Sequence, residues 1–271
     1  MEKHISIIGL GWLGMSLAKS LHSDGHLVLG TYSKIQNESN YNTLPFKCQH
    51  ICFTQNGIEG NWKTLIESTR ILFINIPPKK NQSGDILFSK YIEFIINNTP
   101  ASIPTIFISS TSVYGNLNHK ITENVQPQPK TLSAQALYES ENALKAHFKD
   151  QLTVLRCSGL IGPNRHPGRF LAGGKDVNNP NGLVNIVHQQ DCIEIISKVI
   201  SKNQFGNTFN LCTNEHPTRF KFYTKAAKLL GLEPPLFTTG TNASGKWIDN
   251  SKSKELLGHT YLPIEEMLNN C

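Results

Sequence analysis

The 271-residue sequence predicts an α/β fold: a doubly wound parallel sheet with a smaller C-terminal α/β lobe. Three observations carry that prediction. Short apolar, strand-like runs alternate with stretches of helical periodicity through most of the chain. One run, Ile71-Leu72-Phe73-Ile74-Asn75-Ile76, is almost wholly apolar, the signature of a strand buried on both faces. The first strand-to-helix junction carries glycines at 9, 11 and 14, spaced G-x-G-x-x-G.

That junction comes first. Ile5-Ser6-Ile7-Ile8 suits a short buried strand, and from Trp12 onward Leu13, Leu17, Ala18 and Leu21 recur at helical spacing. Each glycine has a task if a dinucleotide binds here. Gly9 allows the tight turn, Gly11 lets a pyrophosphate approach the backbone, and Gly14 lets the helix pack closely on the strand. The helix start at Trp12, Leu13 and Gly14 would offer free N–H groups and partial positive charge to phosphates. A glycine-rich turn in some other α/β protein is the alternative.

His26 to Thr31 reads as the second strand. An NAD-preferring site usually places Asp or Glu about 20 residues beyond the glycine loop, on the ribose 2′-hydroxyl. Here Thr31-Tyr32-Ser33-Lys34 stand there, with no carboxylate before Glu38. Ser33 and Lys34 favour a 2′-phosphate and hence NADP, with NAD as the alternative. Lys34 could equally be a solvated surface lysine.

Residues 35–47 read as polar loop, His50 to Phe53 as a third strand and Trp62 to Ser68 as a helix. The run at 71–76 stops at Pro77-Pro78, which cannot donate to a ladder. Ligands in open α/β sheets sit at the carboxyl ends of strands, so Pro77 and Pro78 are expected to face the cofactor. Helical periodicity spans Ile86 to Ile96, and Ile103 to Ile108 is the next strand. Ser109-Ser110-Thr111-Ser112 follow, four hydroxyls able to touch a ligand or to cap the turn. A helix over 133–148 and a strand over 152–157 complete the alternation.

Bulk properties exclude several classes. The net charge is +6 and the pI about 8.9, but Lys and Arg are scattered and no zinc finger, RNP motif or basic helix is present. Nucleic acid is therefore not an expected partner. No apolar run reaches the roughly 20 residues of a membrane helix. No signal peptide precedes the first strand, so a cytoplasmic protein is expected. The six cysteines include no C-x-x-C pair, which argues for reduced thiols and against a metal site. Sequons at Asn37, Asn97 and Asn242 carry no weight without a secretory signal.

The motifs, taken in order, resemble the extended short-chain dehydrogenase/reductases, the NAD(P)-dependent epimerase/dehydratase group, and especially its atypical members. The matching pieces are Gly-Leu-Gly-Trp-Leu-Gly (9–14), Ser-Ser-Thr-Ser-Val-Tyr-Gly (109–115), Thr122-Glu123, Glu141, and Leu-Arg-Cys-Ser-Gly-Leu-Ile-Gly-Pro (155–163). Asn185 to Asp191 and Gly206 to Leu211 extend the likeness over nearly the whole chain. The resemblance implies a Rossmann domain over 1–162 and a smaller substrate lobe over 163–271. It also implies an NAD(P) cofactor, Thr111 beside it, Ser110 as the catalytic Ser/Thr, and a small polar or nucleotide-sugar substrate.

Two departures matter. The superfamily's usual glycine pattern is G-x-x-G-x-x-G, not the one present. The family's catalytic Tyr-x-x-x-Lys, a tuned acid–base pair, is missing: none of the seven tyrosines has a lysine four residues later. Family spacing from Glu141 places Ser133 and Leu137 at those two positions. Tyr138, one residue from the lysine position, is the remaining candidate to handle a proton. Lys145 lies about 10 Å further along the helix, too far to complete a pair. The leading expectation is an oxidoreductase or epimerase using Ser110 and Tyr138. The alternative is a non-catalytic NADP-binding redox sensor or regulatory protein. A 6-phosphogluconate-type reductase is disfavoured by strands near 183–187 and 208–212.

Beyond Pro163, Arg165, Arg169 and Lys175 are candidates for a phosphate or carboxylate on a small-molecule substrate, or else loop charges in water. His188 and Asp191 could form an acid/base pair or a structural hydrogen bond. Helices are expected over 191–200 and 220–230. Gly240 to Lys246 mimics a P-loop, but Trp247 stands where Ser or Thr is required, so that reading is rejected.

Overall fold

The computed structural model describes residues 3–34, 36, 38–55, 57–78, 87–239 and 245–271. Residues 240–244 of the P-loop-like stretch, Asn37 and Asn242 of the sequons, and Ile86 lie outside these. In chain order the first elements are β1 (His4–Ile8), α1 (Trp12–Ser23), β2 (Leu27–Tyr32), α2 (Glu38–Tyr41), β3 (Lys47–Thr54) and β4 (Gly57–Gly60). Next come α3 (Trp62–Ser68), β5 (Ile71–Ile74), α4 (Phe88–Asn97), β6 (Thr105–Ser110), β7 (Lys120–Ile121), α5 (Leu132–Phe148), β8 (Leu152–Cys157) and β9 (Gly159–Ile161). The last are β10 (Ile186–His188), α6 (Gln189–Ser201), β11 (Thr208–Leu211), α7 (Arg219–Leu229), β12 (Trp247–Ile248), α8 (Ser251–Leu257) and α9 (Ile264–Asn269).

Eight strands form one sheet in the order β11-β8-β6-β5-β1-β2-β3-β4. All neighbours are parallel except the β3–β4 edge pair. This is the doubly wound architecture the alternating pattern predicts. The strands alternate their side chains between two layers: Ile5 and Ile7, Ile71 and Phe73, and Leu155 face one layer, while Ile8, Leu72, Ile74 and Val154 face the other. The first layer is closed by α1, α6 and α8, the second by α3, α4 and α5. Each fully buried Leu, Ile or Phe contributes about 1.5–3 kcal/mol relative to exposure.

The third strand is longer than its apolar kernel suggests, and β4 returns antiparallel against it. Both lie at the sheet edge, where one half-exposed face weakens the apolar pattern. The expected loop at 35–47 contains the single turn α2. From β9 onward the chain serves two places. β11 and α6 join the large sheet and its first layer, while β9–β10, α7 and α9 enclose a separate small core around Phe222, Ile186 and Met267. All six cysteines are unpaired thiols. Among the described residues no helix is long and apolar enough to cross a membrane, and no cluster of ligating side chains suits a metal ion.

Candidate functional site

β1 lies between β2 and β5, and the chain leaves β1 and β5 for opposite layers: α1 packs on one, α4 on the other. The resulting crevice at the strands' carboxyl ends is where ligands bind in open α/β sheets. The glycine loop fills its floor. Gly9 has φ +98°, and a Cβ there would lie 2.9 Å from the Asn75 carbonyl oxygen and 3.2 Å from Ile76 Cγ2. A Cβ on Gly14 would strike the Gly9 carbonyl. A Cβ on Gly11 would meet nothing within 4 Å. Two glycines are therefore required by packing, and the third faces open space.

The loop is braced from both neighbouring strands. Gly9 N–H donates to Thr31 Oγ1 at 3.0 Å, Leu10 N–H to the Thr31 carbonyl at 2.8 Å, and Asn75 Nδ2 to the Gly9 carbonyl at 3.1 Å. Thr31 is thus spent on the loop itself. The helix α1 starts at Trp12 without a side-chain cap or an acidic residue in its first turn. Its first N–H groups and the helix dipole favour an anion there.

Beside the loop a cleft of about 430 Å³ runs past the end of β2. Gly9, Gly11, Tyr32, Ser33, Lys34, Tyr41, Phe53 and Pro77 are on its wall. Tyr32 stacks on Tyr41 with ring centroids 4.3 Å apart. Burial, then the neighbouring Glu38 carboxylate, raises the Tyr32 phenol above its ordinary range. Ser33 and Lys34 are exposed at the rim, and Pro78 is half-buried beyond Pro77.

The hydroxyl-rich end of β6 is arranged differently. Ser109 Oγ donates to Glu141 at 2.5 Å, and Glu141 forms a buried ion pair with Arg156, also at 2.5 Å. Arg156 Nη1 donates to the Tyr114 hydroxyl at 2.7 Å, which donates to Asn210 Oδ1 at 2.8 Å. Asn210 N–H in turn donates to Glu123 at 2.8 Å. Burial opposes the charge on Arg156, but Glu141 outweighs it and raises the guanidinium's pKa. Burial also raises the Glu123 carboxyl, against the Asn210 N–H that favours its charged form. Ser110 Oγ accepts from Ser112 N–H at 3.1 Å and so caps the turn Thr111–Tyr114. Thr111 is buried, and its carbonyl accepts from Lys246 Nζ at 2.7 Å. The Tyr138 hydroxyl accepts from Gln126 at 2.7 Å. No hydrogen bond joins Ser110 to Tyr138, and Lys145 sits apart, around a separate pocket with Lys149 and Lys252.

Trp12 reaches across to the C-terminal region. Its indole N–H donates to the Pro163 carbonyl at 2.8 Å, and its own carbonyl accepts from Gln189 Nε2 at 3.0 Å. The Arg165 guanidinium lies 5.4 Å from the centre of the Trp12 ring. Arg169 ends a turn packed on α7, and Lys175 is exposed on a loop whose neighbours pair with 236–238. Of these three basic residues only Arg165 is brought to the glycine loop. His188 caps α6 through Nδ1 and Asp191 bonds His259 at 3.0 Å; each has a structural contact of its own, and no hydrogen bond joins the two.

Sequence reasoning missed Thr31 and Asn75 as braces, Arg156 as the hub of a buried network, and Lys246. A signal existed for two of them. Asn75 is the one amide in an apolar run, and Arg156 is the one charge in a strand buried throughout.

Solved Rossmann-type epimerases share this fold, a large parallel sheet flanked by helices. A functionally unknown conserved protein from Silicibacter pomeroyi shares it at TM-score 0.78 and 19% identity, covering 98% of this chain and 97% of that one. UDP-glucuronic acid 4-epimerase from Bacillus cereus, solved with NAD, shares it at TM-score 0.77 and 17% identity, covering 98% and 96%. No protein-family model matches the chain. Protein YeeZ of Escherichia coli K12 is 34% identical over 270 residues, 96% of both chains, and the protein described here belongs to the YeeZ family.

Proposed function

We propose that the protein binds a nicotinamide dinucleotide on its glycine loop and acts, as an epimerase/dehydratase-type protein, on a small polar or nucleotide-sugar substrate. The observation that carries the reading is the loop's division of labour: Gly9 and Gly14 are locked by packing, while Gly11 opens onto the cleft. A pyrophosphate fits that cradle, held by backbone N–H groups at Trp12, Leu13 and Gly14. An adenosine fits the aromatic cleft by Tyr32 and Pro77. Ser33 and Lys34 at its rim supply a hydroxyl and a cation for a 2′-phosphate, which favours NADP over NAD. The NAD in the solved B. cereus epimerase supports a dinucleotide here and leaves that choice to the two rim residues.

When bound, the nicotinamide supplies hydride exchange. The chain's own contribution on that side is Ser110 and Thr111 at the end of β6, with Tyr138 as the remaining proton carrier. Residues 163–271 supply the substrate side, where Arg169 and Lys175 are the candidates for an anionic group. A cytoplasmic setting goes with this reading. The non-catalytic sensor is the second reading. It is favoured by the missing Tyr-x-x-x-Lys and by the Tyr138 hydroxyl being engaged with Gln126. Fluorescence titration with NADPH and NADH, followed by a screen of carbonyl and nucleotide-sugar substrates both for loss of NADPH absorbance and for isomerised product by chromatography, separates them. Turnover selects the enzyme, binding without turnover across the panel selects the sensor, and absence of binding rejects both.

A further inference from the structure

We infer that Arg165 is a cofactor residue: its guanidinium meets the dinucleotide phosphate that faces away from the adenosine. This rests on the reading of the glycine loop as a dinucleotide site. Three observations point to it. The first is the construction of the turn 162–165. Gly162 (φ +148°) and Asn164 (φ +62°) both adopt positive φ, and Arg165 N–H closes the turn on the Gly162 carbonyl at 2.8 Å. A Cβ on Gly162 would lie 3.2 Å from Trp12 Cζ2 and 3.0 Å from Gln189 Cβ, so the turn is pressed against the start of α1. The Trp12 indole N–H on Pro163 locks that approach.

The second is the cation itself. Arg165 is exposed, and its guanidinium sits over the Trp12 ring, a contact that orients it without neutralising it. Trp12 is the first residue of α1, so a positive charge stands beside N–H groups that already favour an anion. Among the described residues no carboxylate is paired with Arg165, and the first turn of α1 holds none.

The third is direction. The adenosine cleft opens on the β2 side of β1, where Lys34 stands. The turn 162–165 follows β8 and β9, and β8 lies on the other side of β1, beyond β5 and β6. Arg165 therefore comes to the loop from the side opposite the adenosine. The two cations bracket the cofactor: Lys34 at the ribose rim and Arg165 at the nicotinamide-side phosphate. A planar guanidinium suits a bidentate contact to phosphate oxygens.

The test uses calorimetric affinities of the full chain for four ligands. NADPH and ADP-ribose carry the nicotinamide-side phosphate, and AMP and 2′,5′-ADP lack it. Arg165→Ala is expected to weaken NADPH and ADP-ribose by about tenfold to a hundredfold, the range of a charged hydrogen bond. AMP and 2′,5′-ADP should stay within about twofold. Arg165→Lys keeps the charge but not the fork and should recover part of the loss. Lys19→Ala, which removes a charge from the exposed middle of α1, should change none of the four. Unchanged ADP-ribose affinity in Arg165→Ala overturns the inference and leaves the dinucleotide site standing. An equal loss for AMP and 2′,5′-ADP also overturns it, because the contact would then not be with the distal phosphate. A wild-type chain that binds none of the four overturns the glycine-loop reading and this inference together.

Discussion

The carboxyl ends of β1 and β6 lie in one sheet with only β5 between them, yet they treat their polar groups in opposite ways. At the glycine loop, side chains brace the backbone from behind: Thr31 and Asn75 hold Gly9, while Gly11 faces open space and α1 begins without a side-chain cap. At the end of β6 three hydroxyls are engaged by the protein itself. Ser109 is bonded to Glu141, Tyr114 lies between Arg156 and Asn210, and Ser110 caps its own turn. A site built to receive a ligand keeps its donors free; a network built to hold strands together satisfies them.

The most severe way to break the contrast is at the buried pair. Arg156→Ala leaves Glu141 charged and unpaired, and should cost about 3–5 kcal/mol in chemical denaturation. A loss below about 1 kcal/mol would mean the network is incidental. On the binding side, Gly11→Val should weaken dinucleotide binding about a hundredfold or more, some 2.7 kcal/mol, while the melting temperature stays put. Gly14→Ala should do both kinds of damage. Its methyl group meets the Gly9 carbonyl, so stability falls by about 1–3 kcal/mol along with affinity. Equal stability losses at 11 and 14 would erase the division of labour between the glycines.

Smaller effects sharpen the other half. Tyr138→Phe removes one exposed hydrogen bond to Gln126 and should cost at most about 1 kcal/mol. If turnover is found, a hundredfold or larger drop in this variant assigns the proton to Tyr138, and an unchanged rate frees it of that role. The gentlest probe is pH. Burial pushes the His216 imidazole down from 6.5 to about 4, so the folded state holds it neutral where the unfolded chain takes a proton. Its contribution is full above pH 6.5 and is lost as pH falls towards 4. His216→Asn should flatten the melting temperature over that window, and an unaltered profile would assign the acid sensitivity elsewhere.

Much of this was legible in the sequence where local chemistry dictates local structure. The helix Trp62–Ser68 and the strand Leu152–Cys157 have the bounds their periodicity predicts, because each carries a clean apolar pattern between turn residues. The glycine spacing located the loop for the same reason: positive φ and close packing demand glycine itself. What could not be read were the relations between distant segments. Nothing local to Trp12 announces Pro163, 151 positions away, and nothing near Thr111 announces Lys246. The edge strand β4 was missed, and β3 was read short, because half-exposed strands blur the alternation. The hydroxyl run at 109–112 illustrates the limit best. Its composition admits a ligand site or a capped turn, and only the geometry shows Ser110 capping and Ser109 bonded inward.

The proposed dinucleotide site at 9–14 has a backbone braced from behind and open in front. Calorimetric titration of NADPH and NADH into the wild-type chain and into Gly11→Val tests it most directly. Saturable binding to the wild type is expected, tighter for NADPH than for NADH, with binding about a hundredfold weaker or worse in a Gly11→Val protein that melts at the same temperature. Equal binding by the two proteins, or none by the wild type, would contradict it.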